Sequence, residues 1–222
     1  MIRIKICGIT NLADAQAAVA AGADALGFVF TSSPRRIAPQ AAADIRAQLP
    51  NTIAVVGVFG DEPTSEILQI ARLCALDFCQ VHGKITEAHR TALGEQLIPA
   101  ITVNGGDPVA AIRNLSSRTI LLDAPHPNRF DPTTPPFDWS LAREVSAMRH
   151  VILAGGLNEI NVIEAIETAR PYGVDVSSGI EIRPGVKDHG KLSSFIQRIR
   201  VWDSRTNAGI SDHSADDLFL KH

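Results

Sequence analysis

The chain has 222 residues, of which 45% are hydrophobic and 20% charged, with a formal net charge of -3 and a pI near 6.1. That is material for one large core, and it argues against wholesale disorder and against a nucleic-acid partner, whose binders carry a basic face. No uninterrupted apolar run is long enough to span a bilayer, and the start lacks a signal-peptide pattern. The three cysteines, an odd number without a CxxC pair, fit a reduced, cytoplasmic protein better than a disulfide scaffold.

Short β-branched runs alternate with alanine-rich helical segments from end to end. The pattern predicts strands over 2–7, 25–30, 53–59, 78–81, 98–103, 119–123, 150–154 and 173–177. Between and after them it predicts helices that include 12–21, 40–48, 64–74, 162–169 and 190–200. Eight strands in regular βα order imply the α/β class and a parallel sheet closed into a single (β/α)8 TIM barrel. A doubly wound open sheet is disfavoured, because the first strand runs into CGIT with no GxGxxG fingerprint. The barrel is expected over 1–202, followed by a polar C-terminal tail over 203–222. Such a tail either frays or is pinned to the surface by its closing LFLK.

Side-chain alternation then selects the inward-facing residues. In the first strand Ile2, Ile4 and Ile6 share one face, which leaves Lys5 and Cys7 pointing into the barrel. Barrel enzymes place their chemistry at the C-terminal strand ends, where Cys7 stands. A free cysteine is most often a buried apolar group. Lys5 on the same face argues otherwise, since a nearby cation lowers a thiol pKa and favours a thiolate base. Asp123 ends the sixth strand beside Ile120, Leu121 and Leu122. Burial there raises a carboxyl pKa toward that of a general acid, although a solvated strand-end carboxylate is an equally ordinary reading.

"LAGGLN" and "VSSGIE" follow the seventh and eighth strands, where barrels often bind a phosphate on backbone N–H groups. Gly155, Gly156, Ser178 and Gly179 are the candidates. An arginine fork in "SSPRRIAP" can clamp a carboxylate, though an arginine pair is usually a solvated turn. His82 and Asp175 are further substrate-binding candidates on the inner face. The Cys79-x-x-His82 spacing hints at a metal, but alternation sends the two side chains to opposite faces, so no metal site is expected.

KICGIT, GADALGFVF, SPR, QVHG, FDWSLA, LAGGLN, VDVSSGIE and PGVKDH occur here in one order. In that order they closely resemble the phosphoribosylanthranilate isomerase family of tryptophan biosynthesis, from Met1 to about Arg200. The resemblance implies a single barrel without cofactor or metal that carries out an Amadori rearrangement. N-(5-phosphoribosyl)anthranilate, an aminoaldose, would become the 1-deoxyribulose 5-phosphate aminoketose. It implies Cys7 as the base at ribose C2 and Asp123 as the acid at the ring oxygen. Arg35 would contact the anthranilate, and the two glycine loops would hold the phosphate.

The expected partner is a small-molecule phosphoribosyl substrate, with no nucleic acid and no membrane, acted on by a monomer or homodimer. One stretch departs from the family. Where a glycine-rich GG[ST]G lid is usual, this chain has "APHPNRFDPTTPP", with five prolines and no glycine. Proline stiffens a segment, which puts the lid's substrate contacts in doubt and leaves His126, Asn128 and Arg129 as replacement donors. Two competing readings follow from it. One is an isomerase of a related phosphoribosyl amine, and the other a non-catalytic sugar-phosphate-binding barrel.

Overall fold

β-Branched and aliphatic runs of four to six residues, too short for helices and apolar on both faces, become strands covered from two sides. In the computed structural model these are β1 (Arg3–Cys7), β2 (Ala25–Val29), β3 (Ala54–Phe59), β4 (Phe78–Val81), β5 (Leu97–Thr102), β6 (Thr119–Asp123), β7 (His150–Ala154) and β8 (Gly173–Val176). All eight pair in parallel in chain order, and β8 returns to β1 to close the barrel. The structure describes residues 1–102, 109, 112, 115–123, 139–206 and 219. The proline-rich stretch after Asp123 and the end of the strand expected to reach 103 lie outside the described residues.

Strand ends differ from expectation by at most one residue within the described part, and the helices are Leu12–Ala21, Pro39–Arg46, Thr64–Leu73, Glu87–Leu93, Trp139–Ser146, Val162–Ala169 and His189–Thr206. The sequence supplies their ends: Asn11 caps the first by accepting from the Asp14 N–H at 2.9 Å, and Gly22 stops it with φ 96°. The last helix does not stop at 200 but continues to Thr206, across the boundary drawn between 202 and 203. Asp203 is buried and accepts the Ile2 N–H at 3.0 Å, so this turn of helix belongs to the barrel rather than to a tail.

Two apolar layers result. Ile4, Ile6, Leu26, Phe28 and Val55 face outward into the core between strands and helices. Ala25, Ala54, Val56, Ile98, Leu121 and Ile152 fill the barrel interior. Above this filling, at the C-terminal strand ends, polar residues replace aliphatic ones. A short antiparallel pair absent from the sequence reading, β9 (Glu181–Arg183) and β10 (Val186–Lys187), then folds back beside the barrel mouth. Among the described residues no helix is long and apolar enough to cross a membrane.

Candidate active site

A cavity of about 310 Å3 opens at the C-terminal end of the barrel, within the usual size range of small-ligand sites. Cys7 reaches it from β1, His82 from just past β4, Asp123 from β6 and Asp175 from β8, while Arg35 leans in from the loop after β2. Gly155, Gly156 and Ser178 form part of its rim. The structure therefore brings eight of the nine expected residues together. Gly179 does not line the cavity. A Cβ there would collide with the Leu157 carbonyl oxygen, so this glycine lets the loops after β7 and β8 touch backbone to backbone. Gly155 and Gly156 hold φ of 93° and 66°, a left-handed path that glycine takes without strain.

Cys7 and Lys5 both point inward, as alternation requires, and Gly27 on the paired strand β2 makes room for them. A Cβ at Gly27 would stand 2.8 Å from Cys7 Sγ and 3.1 Å from Lys5 Nζ. Lys5 is fully buried and donates to Asp175 Oδ1 at 2.9 Å. Burial pulls the Lys5 ammonium down, but the Asp175 carboxylate and the Cys7 thiol together outweigh it and leave the lysine above its ordinary value. The thiol corrects the expectation. Burial first and Asp175 second push Cys7 up, against Lys5 and Lys187, which pull it down, and its pKa ends above the ordinary thiol value. A lysine alone would have lowered it. Burial reverses the sign, and the carboxylate across the β1–β8 seam adds to it.

Arg35 has a partner the sequence did not show. Its Nε and Nη2 grip Glu181 of β9, at 2.9 and 2.7 Å, so part of the fork holds a protein carboxylate. Glu181 also accepts from Lys187 Nζ at 2.9 Å. Burial alone would raise this carboxyl, but Arg35 and Lys187 hold it below its ordinary value. Lys187, itself pulled down by burial, donates to the Cys7 carbonyl at 2.5 Å and the Ser177 carbonyl at 3.3 Å. Gly8, with φ 75°, lets the chain turn beneath this group. A Cβ there would lie 2.7 Å from Arg35 Cδ.

Known proteins were compared with the chain. Residues 4–198 match the family described as N-(5'phosphoribosyl)anthranilate (PRA) isomerase. A curated relative from Geobacter sulfurreducens, named N-(5'-phosphoribosyl)anthranilate isomerase, is 44% identical over 203 residues, 91% of this chain and 100% of that protein. This chain belongs to the phosphoribosylanthranilate isomerase family. It is an enzyme of the isomerase class. The crystal structure of the Thermotoga maritima phosphoribosyl anthranilate isomerase superposes with a TM-score of 0.83 at 41% identity, covering 90% of this chain and 100% of that one. A phosphoribosyl anthranilate isomerase crystallised with reduced 1-(o-carboxyphenylamino)-1-deoxyribulose 5-phosphate gives a TM-score of 0.79 at 40% identity, with the same coverage.

Within this family barrel the sequence reading missed several residues at the site. Glu181 and Lys187 sit on the short hairpin, in the stretch from VSSGIE to PGVKDH. Gln80 lines the cavity and lies 2.6 Å from His82 Nε2, which fixes the imidazole, while its Oε1 has no hydrogen-bond partner among the described residues. Ser177 Oγ is likewise buried on the cavity wall with no partner among the described residues. The alternation that turns His82 and Asp175 inward also turns Gln80 and Ser177 inward, and that is the available signal. Cys79, by contrast, packs outward in the strand–helix core, apart from His82.

Proposed function

We propose that this chain catalyses the Amadori rearrangement of N-(5-phosphoribosyl)anthranilate to 1-(o-carboxyphenylamino)-1-deoxyribulose 5-phosphate in tryptophan biosynthesis. The observation that carries the reading is that Cys7 and Asp123 face one cavity from β1 and β6, with a glycine rim between β7 and β8 beside them. An aldose-to-ketose isomerisation needs that division of labour. Asp123, as acid, gives its proton to the ring oxygen while the C1–O bond breaks and the anthranilate nitrogen lone pair forms a C1 iminium. Cys7, as thiolate, removes the C2 proton, and the electron pair neutralises the iminium to an enolamine. Proton transfer from the C2 hydroxyl oxygen to C1 completes the ketone. Cys7 then gives up to solvent the proton it took from C2 and Asp123 takes one back, so both side chains are restored and the sum is an isomerisation that consumes no cofactor.

The remaining residues take binding roles. Backbone N–H groups of Gly155, Gly156 and Ser178 receive the phosphate, aided by the close approach that glycine allows. Asp175 and His82 meet ribose hydroxyls. Arg35 offers the anthranilate its Nη1 edge, the part of the guanidinium that Glu181 does not engage. A reducing, cytoplasmic setting suits the three free, buried thiols.

The test is a steady-state assay with freshly prepared phosphoribosylanthranilate. Turnover is expected in the parent, and Cys7→Ser and Asp123→Asn should each lose about 10²–10⁴-fold in kcat with folding retained. Substrate binding without turnover in the parent would refute the reading, as would near-normal kcat in Cys7→Ser.

A further inference from the structure

The end of the barrel opposite the active site carries a contact that catalysis does not require. At the N-terminal strand ends the interior residues of β2 and β3 are Ala25 and Ala54, small side chains in one apolar cluster with an aromatic ring from far along the chain. Phe219, only 3% exposed, belongs to the apolar cluster inside the barrel together with those alanines, Ile98, Leu121 and Ile152. Its ring meets Phe78, the first residue of β4, edge-on with centroids 5.7 Å apart. It also meets Tyr172, just before β8, at 6.1 Å. In a closed barrel of eight strands, β4 and β8 stand on opposite walls. A single ring that touches both therefore lies across the mouth. His150, the first residue of β7, stacks on Tyr172 at 4.6 Å and widens the aromatic seat.

Phe219 comes from beyond the family's span, since the family match ends at residue 198. Its neighbourhood in sequence, SDHSADDLFLKH, is polar or charged apart from the LFL triplet. Burying an aromatic side chain removes about 150–250 Å² from water, whereas the flanking aspartates favour solvent. We propose that Phe219 is an intramolecular plug, which supplies the bulk that Ala25 and Ala54 lack and closes the N-terminal mouth of its own barrel. The plug contributes to stability and takes no part in turnover.

The test uses the full-length chain. Phe219→Ala should lower the melting temperature by about 6–15 °C, as expected for emptying a buried aromatic site in a domain of this size. kcat and KM should stay within about twofold, because the active site is at the other end of the barrel. The parent's melting temperature should not change over a hundredfold range of protein concentration. If Phe219→Ala does not fold, Phe219→Leu carries the same comparison, with a drop of about 3–6 °C expected because most of the apolar volume is kept. A variant that melts within about 1 °C of the parent would overturn the plug. So would a concentration-dependent parent dimer that Phe219→Ala or Phe219→Leu dissociates, because the ring would then be seated in the mouth of a second copy.

Discussion

Gly27→Ala isolates the crowding around the proposed base. Gly27 is not among the glycines with positive φ, so alanine meets no backbone strain, and the whole effect comes from one methyl group. That carbon would stand 2.8 Å from Cys7 Sγ, 3.1 Å from Lys5 Nζ and 3.2 Å from Cys7 Cα. Carbon contacts settle at about 3.5–4.0 Å, so the sulfur must retreat by roughly 0.7 Å or more. Lys5 has little freedom to move instead, being fully buried and tied to Asp175 at 2.9 Å. A misplacement near 1 Å costs about 10²-fold in rate, or about 2.7 kcal/mol of barrier. The same insertion into a packed interior should destabilise the fold by about 1–3 kcal/mol. Steady-state kinetics on phosphoribosylanthranilate should show the loss in kcat rather than KM, since the thiol acts in the transition state. Urea denaturation gives the stability change. A kcat within threefold of the parent would show that Cys7 does not depend on the space above Gly27, and the argument would fail.

Two further outcomes are expected. Gly179→Ala should force the loops after β7 and β8 apart at the Leu157 carbonyl, weakening competitive inhibition by inorganic phosphate on the order of tenfold; an unchanged inhibition constant would separate that contact from phosphate binding. Because the thiol lies above its ordinary value of 9.0, the thiolate fraction grows with pH, and in Asp123→Asn, where no acid titrates against it, the residual kcat/KM should climb about tenfold per unit above neutrality before any alkaline plateau. A flat profile of that variant between pH 7 and 9 would mean that the cations dominate after all.

The barrel itself was legible because strand and helix periods are local. Each βα unit announces itself within some thirty residues, and alternation alone turned Lys5, Cys7, Gln80 and His82 inward. What could not be read depends on closure. Asp175 reaches Lys5 only because β8 pairs with β1, in a register that sets Lys5 opposite Asp175. The sequence shows the lysine two residues from the thiol but neither the depth of the thiol's burial nor the carboxylate 170 residues from that lysine, and burial first and the carboxylate second set the sign of the thiol's shift. Arg35 and Glu181 are likewise 146 residues apart, and the hairpin that joins them has strands of three and two residues, too short to carry a period. Asp203 reads as the start of a polar tail until its partner, the Ile2 N–H, is known.

The proposed base presents an apparent conflict, since a raised thiol pKa leaves little thiolate near neutrality. The buried charges beside the site explain why this arrangement still serves catalysis. Lys5, Arg35 and Lys187 face Asp175 and Glu181, three cations to two anions. Removing Asp175 would relieve its repulsion of the thiolate, but it would also strip a fully buried lysine of its counterion. A lysine so placed gives up its proton, and the thiol would lose the cation that favours ionisation. Asp175 therefore keeps Lys5 charged and in place, at the expense of some thiolate. The smaller population is offset by strength, because a thiolate of higher pKa is the better base toward a weakly acidic carbon-bound proton. The negative charge that opposes the thiolate is also the one that holds its supporting cation in the barrel.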